Sequence, residues 1–203
     1  MMGKRAGFVL FELIIVGAIL GVLAGVVSVL IPRSTREQAQ FACMSNVKGL
    51  VSLLIVTSGA KFPVQRGPNL LLCLVVEGDL QGERQLKTLF CPGDLQESWE
   101  KAGGAEAYRD LDLSVEAKRG QLTSYAGRDQ LDPDCAAPKG GESVILICDD
   151  SEDHHGRKGI VVGRTDGGAE FLSKADHFKL GRDAPLVIGA DSAIEELQCL
   201  RAE

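Results

Sequence analysis

The chain has 203 residues, with 22 lysines and arginines against 28 aspartates and glutamates, for a formal net charge of −6. That length holds one modest globular domain beside a membrane segment. The acidic balance, with a pI near 5.2, argues against a nucleic-acid partner, which needs a basic patch. Six cysteines (Cys43, Cys73, Cys91, Cys135, Cys148, Cys199) contain no CxxC pair, which argues against a zinc ribbon or a thioredoxin-type site. In an exported domain they permit disulfides.

The first element is a basic leader, residues 1–7, carrying Lys4 and Arg5 and no acid. Residues 8–31 follow as an apolar run in which only Glu12 and Ser28 are clearly polar. As a helix this run covers roughly 36 Å, enough to cross a hydrocarbon core of about 30 Å with some tilt. The two basic residues predict a cytoplasmic leader, with everything after Pro32 on the other side. A secretory signal would have a shorter apolar core and an A-x-A site behind it, and neither is present. Glu12 stands inside the span, where a lone carboxylate costs about 2.5–3.5 kcal/mol at mid-membrane and is normally paired or functional. Snorkelling to the headgroups is the plainer account of it. Gly17, Gly21 and Gly25 recur every four residues, either as a ridge for close helix approach or as ordinary membrane-helix glycines.

The stretch Lys4-Arg5-Ala6-Gly7-Phe8-Val9-Leu10-Phe11-Glu12-Leu13 resembles the processing signal of type IV prepilins and type II secretion pseudopilins. The resemblance implies cleavage by a prepilin peptidase between Gly7 and Phe8, followed by N-methylation of Phe8. It also implies that Glu12 becomes the fifth mature residue and an assembly determinant. The new α-amino group and the Glu12 carboxylate would attract one another in a low-dielectric setting, where a mismatched neighbour leaves an unpaired charge. Phe11 and Val9 depart from the usual residues while keeping their apolar character. Removing the leader leaves 20 basic against 28 acidic residues, a mature charge of −8.

Beyond Pro32, which is expected to kink or locally melt the helix, residues 32–58 read as its amphipathic continuation. Phe41, Met44, Val47, Val51 and Leu54 form the predicted apolar stripe, and Ser58-Gly59 ends the element. Residues 59–203 form the exported globular part. Within it, 69–77 reads as a short buried helix or a strand, and Thr88–Cys91 as an extended piece entering a Pro-Gly-Asp turn. Residues 94–119 read as a polar surface excursion with one weak helix. "LTSYAG" (122–127) suits a strand, as do "SVILIC" (143–148), "GIVVG" (159–163) and "AEFL" (169–172). The last two flank a hairpin turn, Arg164 to Gly168. Ser192 and Glu195 have capping-box spacing for a short final helix. The architecture expected is α+β and pilin-like, a long N-terminal helix packed on a small antiparallel sheet.

The segments Cys43 to Pro63, Phe90 to Asp94 and Thr123 to Gly127 also resemble pseudopilin-like proteins abundant in planctomycetes. Those tend to carry His, nine residues, then Asp-Gly. Here ten residues separate His155 from Asp166-Gly167, a departure that weakens any role carried over to His155.

Three candidate sites emerge. Cys43 and Cys91 are the pair to join in a disulfide, which would pin the excursion to the helix for about 2–4 kcal/mol; two buried free thiols are the alternative. Asp149, Asp150, Glu152 and Asp153 offer the oxygen ligands that calcium takes. A solvated acidic loop is the simpler account of them, and zinc on His154 and His155 lacks a third ligand at suitable spacing. His155 with Asp166 resembles an acid–base pair without a nucleophile motif beside it. No resident cofactor and no enzymatic role are expected. The glycine pairs 103–104 and 140–141 are read as turns.

The expected protein is therefore a structural subunit of a pseudopilus or pilus-like filament in the cytoplasmic (inner) membrane. It would be single-pass, with its globular part in the periplasm or another extracytoplasmic space. Its partners would be prepilin peptidase, other pilin or pseudopilin subunits and an inner-membrane assembly platform. The rivals are an uncleaved, signal-anchored binding or sensor protein, and an anchored metal-dependent hydrolase centred on His154, His155 and Asp166.

Overall fold

The computed structural model describes residues 5–59, 62–114, 119–138, 142–181 and 183–202, the side chains of residues 5–11 and 24–36 excepted. The chain divides into two compact units, Met1–Gln38 and Ala39–Glu203. Helix α1 runs Arg5–Ser58 and is unbroken at Pro32.

In the first unit, the described side chains from Glu12 to Leu23 are exposed, Leu13 to 67 % and Val22 to 68 %. This short stretch is apolar, but among the described residues only Glu37–Ser58 is both long and apolar enough to cross a membrane. The predicted span, residues 8–31, lies partly outside the described side chains. The Glu37–Ser58 stretch has another use for its apolar residues. Cys43, Val47, Leu50, Val51 and Leu54, spaced four, three, one and three residues apart, lie on one face and are all buried in the core. The predicted stripe needs correction: Phe41 is exposed, because two residues along a helix is about 200° and turns it away from Cys43.

The second unit is α+β. Its sheet has five antiparallel strands in the order β4-β3-β2-β1-β5: β1 Tyr125–Arg128, β2 Ile145–Asp149, β3 Gly159–Arg164, β4 Ala169–Ser173 and β5 Leu200–Arg201. β2 is buried along its whole length, which is why it reads as a continuous apolar run instead of an alternating one. One sheet face, with Tyr125, Ile147 and Val161, packs with the α1 stripe and with α2 (Asn69–Val76). The other, with Ala126, Cys148, Ile160, Val162 and Leu172, packs under Leu186, Leu197 and Leu200 from the C-terminal segment. An irregularity between Ile145 and Ile147 shifts the β2 register and puts those two residues in different clusters.

Helix and sheet approach closely at Gly163. A Cβ there would fall 2.5 Å from Val51 Cγ2 and 2.7 Å from Val47 Cγ1. The absence of a side chain is what lets β3 lie against α1.

Several expectations change. The run from residue 69, open between helix and strand in the sequence, is the helix α2, Asn69–Val76, with Glu77 as its C-cap. Lys87–Leu89 is a 3₁₀ turn, with only Phe90 extended behind it. A further short helix, α3 (Glu83–Leu86), precedes it. The excursion is more than surface: Trp99 on α4 (Leu95–Ala102) and Tyr108 are buried, stacked at 6.1 Å, with Phe90 edge-on to Trp99 at 5.8 Å. Ser192 does not cap the last helix, α5 (Glu195–Gln198), whose N-cap is Ile194; its hydroxyl accepts instead from the Ile194 N–H. β5, two residues long, was too short to carry a strand signal. Gly103 ends α4 in the left-handed region, as a turn glycine should, whereas residues 140–141 lie outside the described ones.

Candidate functional site

Three stretches far apart in sequence meet on the α1 face of the sheet. Cys43 comes from the buried stripe of α1. Cys91 opens the Cys-Pro-Gly-Asp turn that ends at Asp94. The third stretch is the end of β2 and the 3₁₀ turn behind it, Glu152–His155, whose start is capped by the Ser151 hydroxyl accepting from the Asp153 N–H. Strand alternation carries Ile147 and Asp149 to the same face, so the Asp149 carboxylate enters the core beside Cys43. The turns are locked together at Gly93, where a Cβ would lie 2.4 Å from the His154 carbonyl oxygen.

The resulting cluster is fully enclosed. Cys43, Cys91 and Asp149 are 0 % exposed and His155 is 6 % exposed. Cys43 Sγ donates to Asp149 Oδ1 at 3.2 Å and lies 3.5 Å from the Tyr125 hydroxyl. His155 Nε2 lies 3.0 Å from Asp149 Oδ2 and 3.6 Å from Cys91 Sγ. The Val161 N–H donates to Asp149 Oδ2 at 2.7 Å. Next to this quartet stands His154, 3.1 Å from Asp94 Oδ2 and 3.7 Å from Asp150 Oδ1. Asp94 also accepts from the Ser98 hydroxyl.

The electrostatics follow from enclosure. Burial works against the charge of His155, yet Asp149 and Cys91 push it up to about 9. His154 is raised further in the same way, by Asp149 and Asp94 against burial. The Cys91 thiol is lowered by the Cys43 hydrogen bond and, against burial, by the two imidazoles. Asp150 is raised to about 6, chiefly by burial.

A cavity of about 320 Å³ lies beside the cluster, with Asp94, Ser98, Lys101, Thr123, Asp150 and His154 in its wall.

Each predicted site residue can now be placed. Gly7 and Phe8 lie outside the residues whose side chains are described; Glu12 is exposed on α1. Gly17 and Gly21 face open space, and Gly25 is outside the described side chains. Cys43 and Cys91 do meet, but as free thiols: the disulfide joins Cys135 and Cys199. The four-acid calcium loop is not assembled, because its carboxylates have diverged to separate partners. Asp149 points into the core, Glu152 pairs with Lys174 at 2.7 Å, and Asp153 pairs with Arg157 at 2.8 Å in solvent. Asp166 does not join His154 and His155. It holds the β3–β4 turn, accepting from the Gly168 N–H and the Ser143 hydroxyl, each at 2.8 Å.

The arrangement does not suit nucleophilic catalysis either. Cys91 and Asp149 address the same imidazole nitrogen, Nε2, so the carboxylate cannot orient the ring from its far side, as a triad requires. A sulfur with no exposed surface also offers a substrate no approach. Comparison of the chain with protein-family models, with curated proteins and with solved structures finds no match.

Proposed function

We propose that this chain is a pilin-like structural subunit of a type II secretion pseudopilus or a type IV pilus-like filament. A prepilin peptidase cuts it between Gly7 and Phe8 and methylates the new terminus. The mature subunit sits in the inner membrane by its N-terminal helix, with its α+β head in the periplasm or another extracytoplasmic space. An assembly platform then stacks it against other subunits, with Glu12 meeting the terminal amine of a neighbour. On this reading the chain is a mechanical element, and the head carries no reaction.

The observation that carries the proposal is the exposed apolar surface of Glu12–Leu23 on α1, a stretch whose single acid is Glu12. Such a surface is unstable in water and calls for lipid or the same helix of a neighbouring subunit. The processing motif immediately before it, and an α+β unit built on the later part of α1, point the same way. The test is mass spectrometry of the protein isolated from its own membranes: the expected terminus is N-methyl-Phe8, and a working form that begins at Met1 or Met2 overturns the reading.

The cavity next to His154 and Asp150 favours a second reading, a ligand-binding head on an uncleaved anchor. An intact leader together with ligand-dependent stabilisation of the head selects it.

A further inference from the structure

We propose that the head holds one zinc ion, ligated by the thiolates of Cys43 and Cys91, the Asp149 carboxylate and His155 Nε2. This proposal is independent of the filament reading.

The geometry is the first reason. One donor atom from each of the four residues lies within 4.8 Å of all the others. Bonds of about 2.0–2.3 Å to a tetrahedral zinc imply donor–donor edges of roughly 3.3–3.8 Å. Three contacts already lie near that range, 3.2 Å from Cys43 Sγ to Asp149 Oδ1, 3.0 Å from Asp149 Oδ2 to His155 Nε2 and 3.6 Å from His155 Nε2 to Cys91 Sγ; binding would draw the four donors in around one Asp149 oxygen. Four protein ligands close the coordination shell, the arrangement of a structural site rather than a catalytic one.

Donor chemistry is the second. Two sulfurs, an imidazole and one carboxylate oxygen form a borderline-soft set that suits zinc and is wrong for calcium, which takes six to eight oxygens. The surrounding hydrogen bonds already aim the ligands: the Val161 N–H holds Asp149 Oδ2, and the Tyr125 hydroxyl reaches Cys43.

The third is access. Beside the quartet lies a polar group whose buried atoms Asp94 Oδ1, Asp150 Oδ1 and His154 Nδ1 have no protein hydrogen-bond partner and are not among the proposed ligands. His154 and Asp94, which adjoin the quartet through Cys91, also form part of the cavity wall, so an ion arriving from solvent meets polar groups before the buried ligands.

The ion would tie four pieces of the head at one point: α1, the turn after Phe90, the end of β2 and the turn behind it. Each ligating thiol gives its proton to solvent on binding, and the sulfur pair bound to zinc is withdrawn from oxidation to a Cys43–Cys91 disulfide. An oxidising compartment would otherwise favour that bond.

The test uses the full chain in detergent, purified with reductant and without chelator. About one zinc per chain is expected by elemental mass spectrometry, falling below about a tenth in Cys43→Ser, Asp149→Asn and His155→Ala. Cys148→Ser, a buried cysteine outside the cluster, should keep its zinc. Since the first three variants could unfold, the wild-type chain is also exchanged into cobalt(II), where thiolate-to-cobalt absorption with a tetrahedral visible spectrum is expected. A reduced wild-type chain that takes up no zinc and shows no thiolate–cobalt band overturns the proposal. So does a Cys43–Cys91 disulfide in protein alkylated directly from cells.

Discussion

Two apolar stretches of α1 have opposite surroundings. Glu12–Leu23 exposes its leucines and isoleucines, whereas the later stretch sinks Val47, Leu50, Val51 and Leu54 into the core of the globular unit. Length and composition do not separate them by environment, since it is the later, buried stretch that is long and apolar enough to cross a membrane. What separates them is the arrangement of the apolar positions. From Cys43 onward they gather on one face, with Gln40, Lys48 and Ser52 elsewhere, while from Leu13 to Leu23 they go all round. A one-sided helix can finish its burial within its own chain; an all-round one needs an apolar medium or neighbours.

Substitutions can break or sharpen this contrast, read as thermal or denaturant stability of the full chain and as filament incorporation. The largest effect is expected from Leu50→Ala, which empties a 2 % exposed position and should cost about 2–5 kcal/mol. Gly163→Ala should follow at about 1–3 kcal/mol, because the new methyl overlaps Val47 and Val51. If it unfolds at the wild-type midpoint, the described approach of β3 to α1 is wrong. Phe41→Ser, on the exposed side of the same stretch, should stay within about 0.5 kcal/mol. Glu12→Ala should leave head stability unchanged and yet fail to enter filaments; normal incorporation would remove the role assigned to that carboxylate.

Legibility followed the range of the interaction. The buried strands β2 and β3 and the β3–β4 turn are local signals, and they are where the sequence indicates, whereas the run at Asn69, open between helix and strand in the sequence, is a helix. The stripe of α1 was legible apart from Phe41, which a stricter angular count excludes. The cluster was only half legible. Cys43 with Cys91 could be picked as neighbours, and the acidic loop from Asp149 as a calcium candidate, but each was read without the other. Its ligands come from positions 43, 91, 149 and 155, so no local spacing motif links them. The topology alone supplies the meeting point, by setting Asp149 opposite Tyr125 and both against α1. The acids nearest in sequence misled for the same reason: beyond Asp149, Glu152 and Asp153 turn to Lys174 and Arg157. The true disulfide spans 64 residues and joins a loop after β1 to the residue before β5, a pairing composition could not single out.

That bond has a bearing on the order in which the protein is made. Cys199 follows Cys135 by 64 residues, so it and β5 leave the ribosome after β1, whose outer edge β5 covers. Until they arrive, the rim of β1 is a bare row of amides and carbonyls on which another nascent copy could pair. Closing Cys135 to Cys199 fastens β5 over that rim, so a chain in which the bond cannot form would hold the seam less firmly.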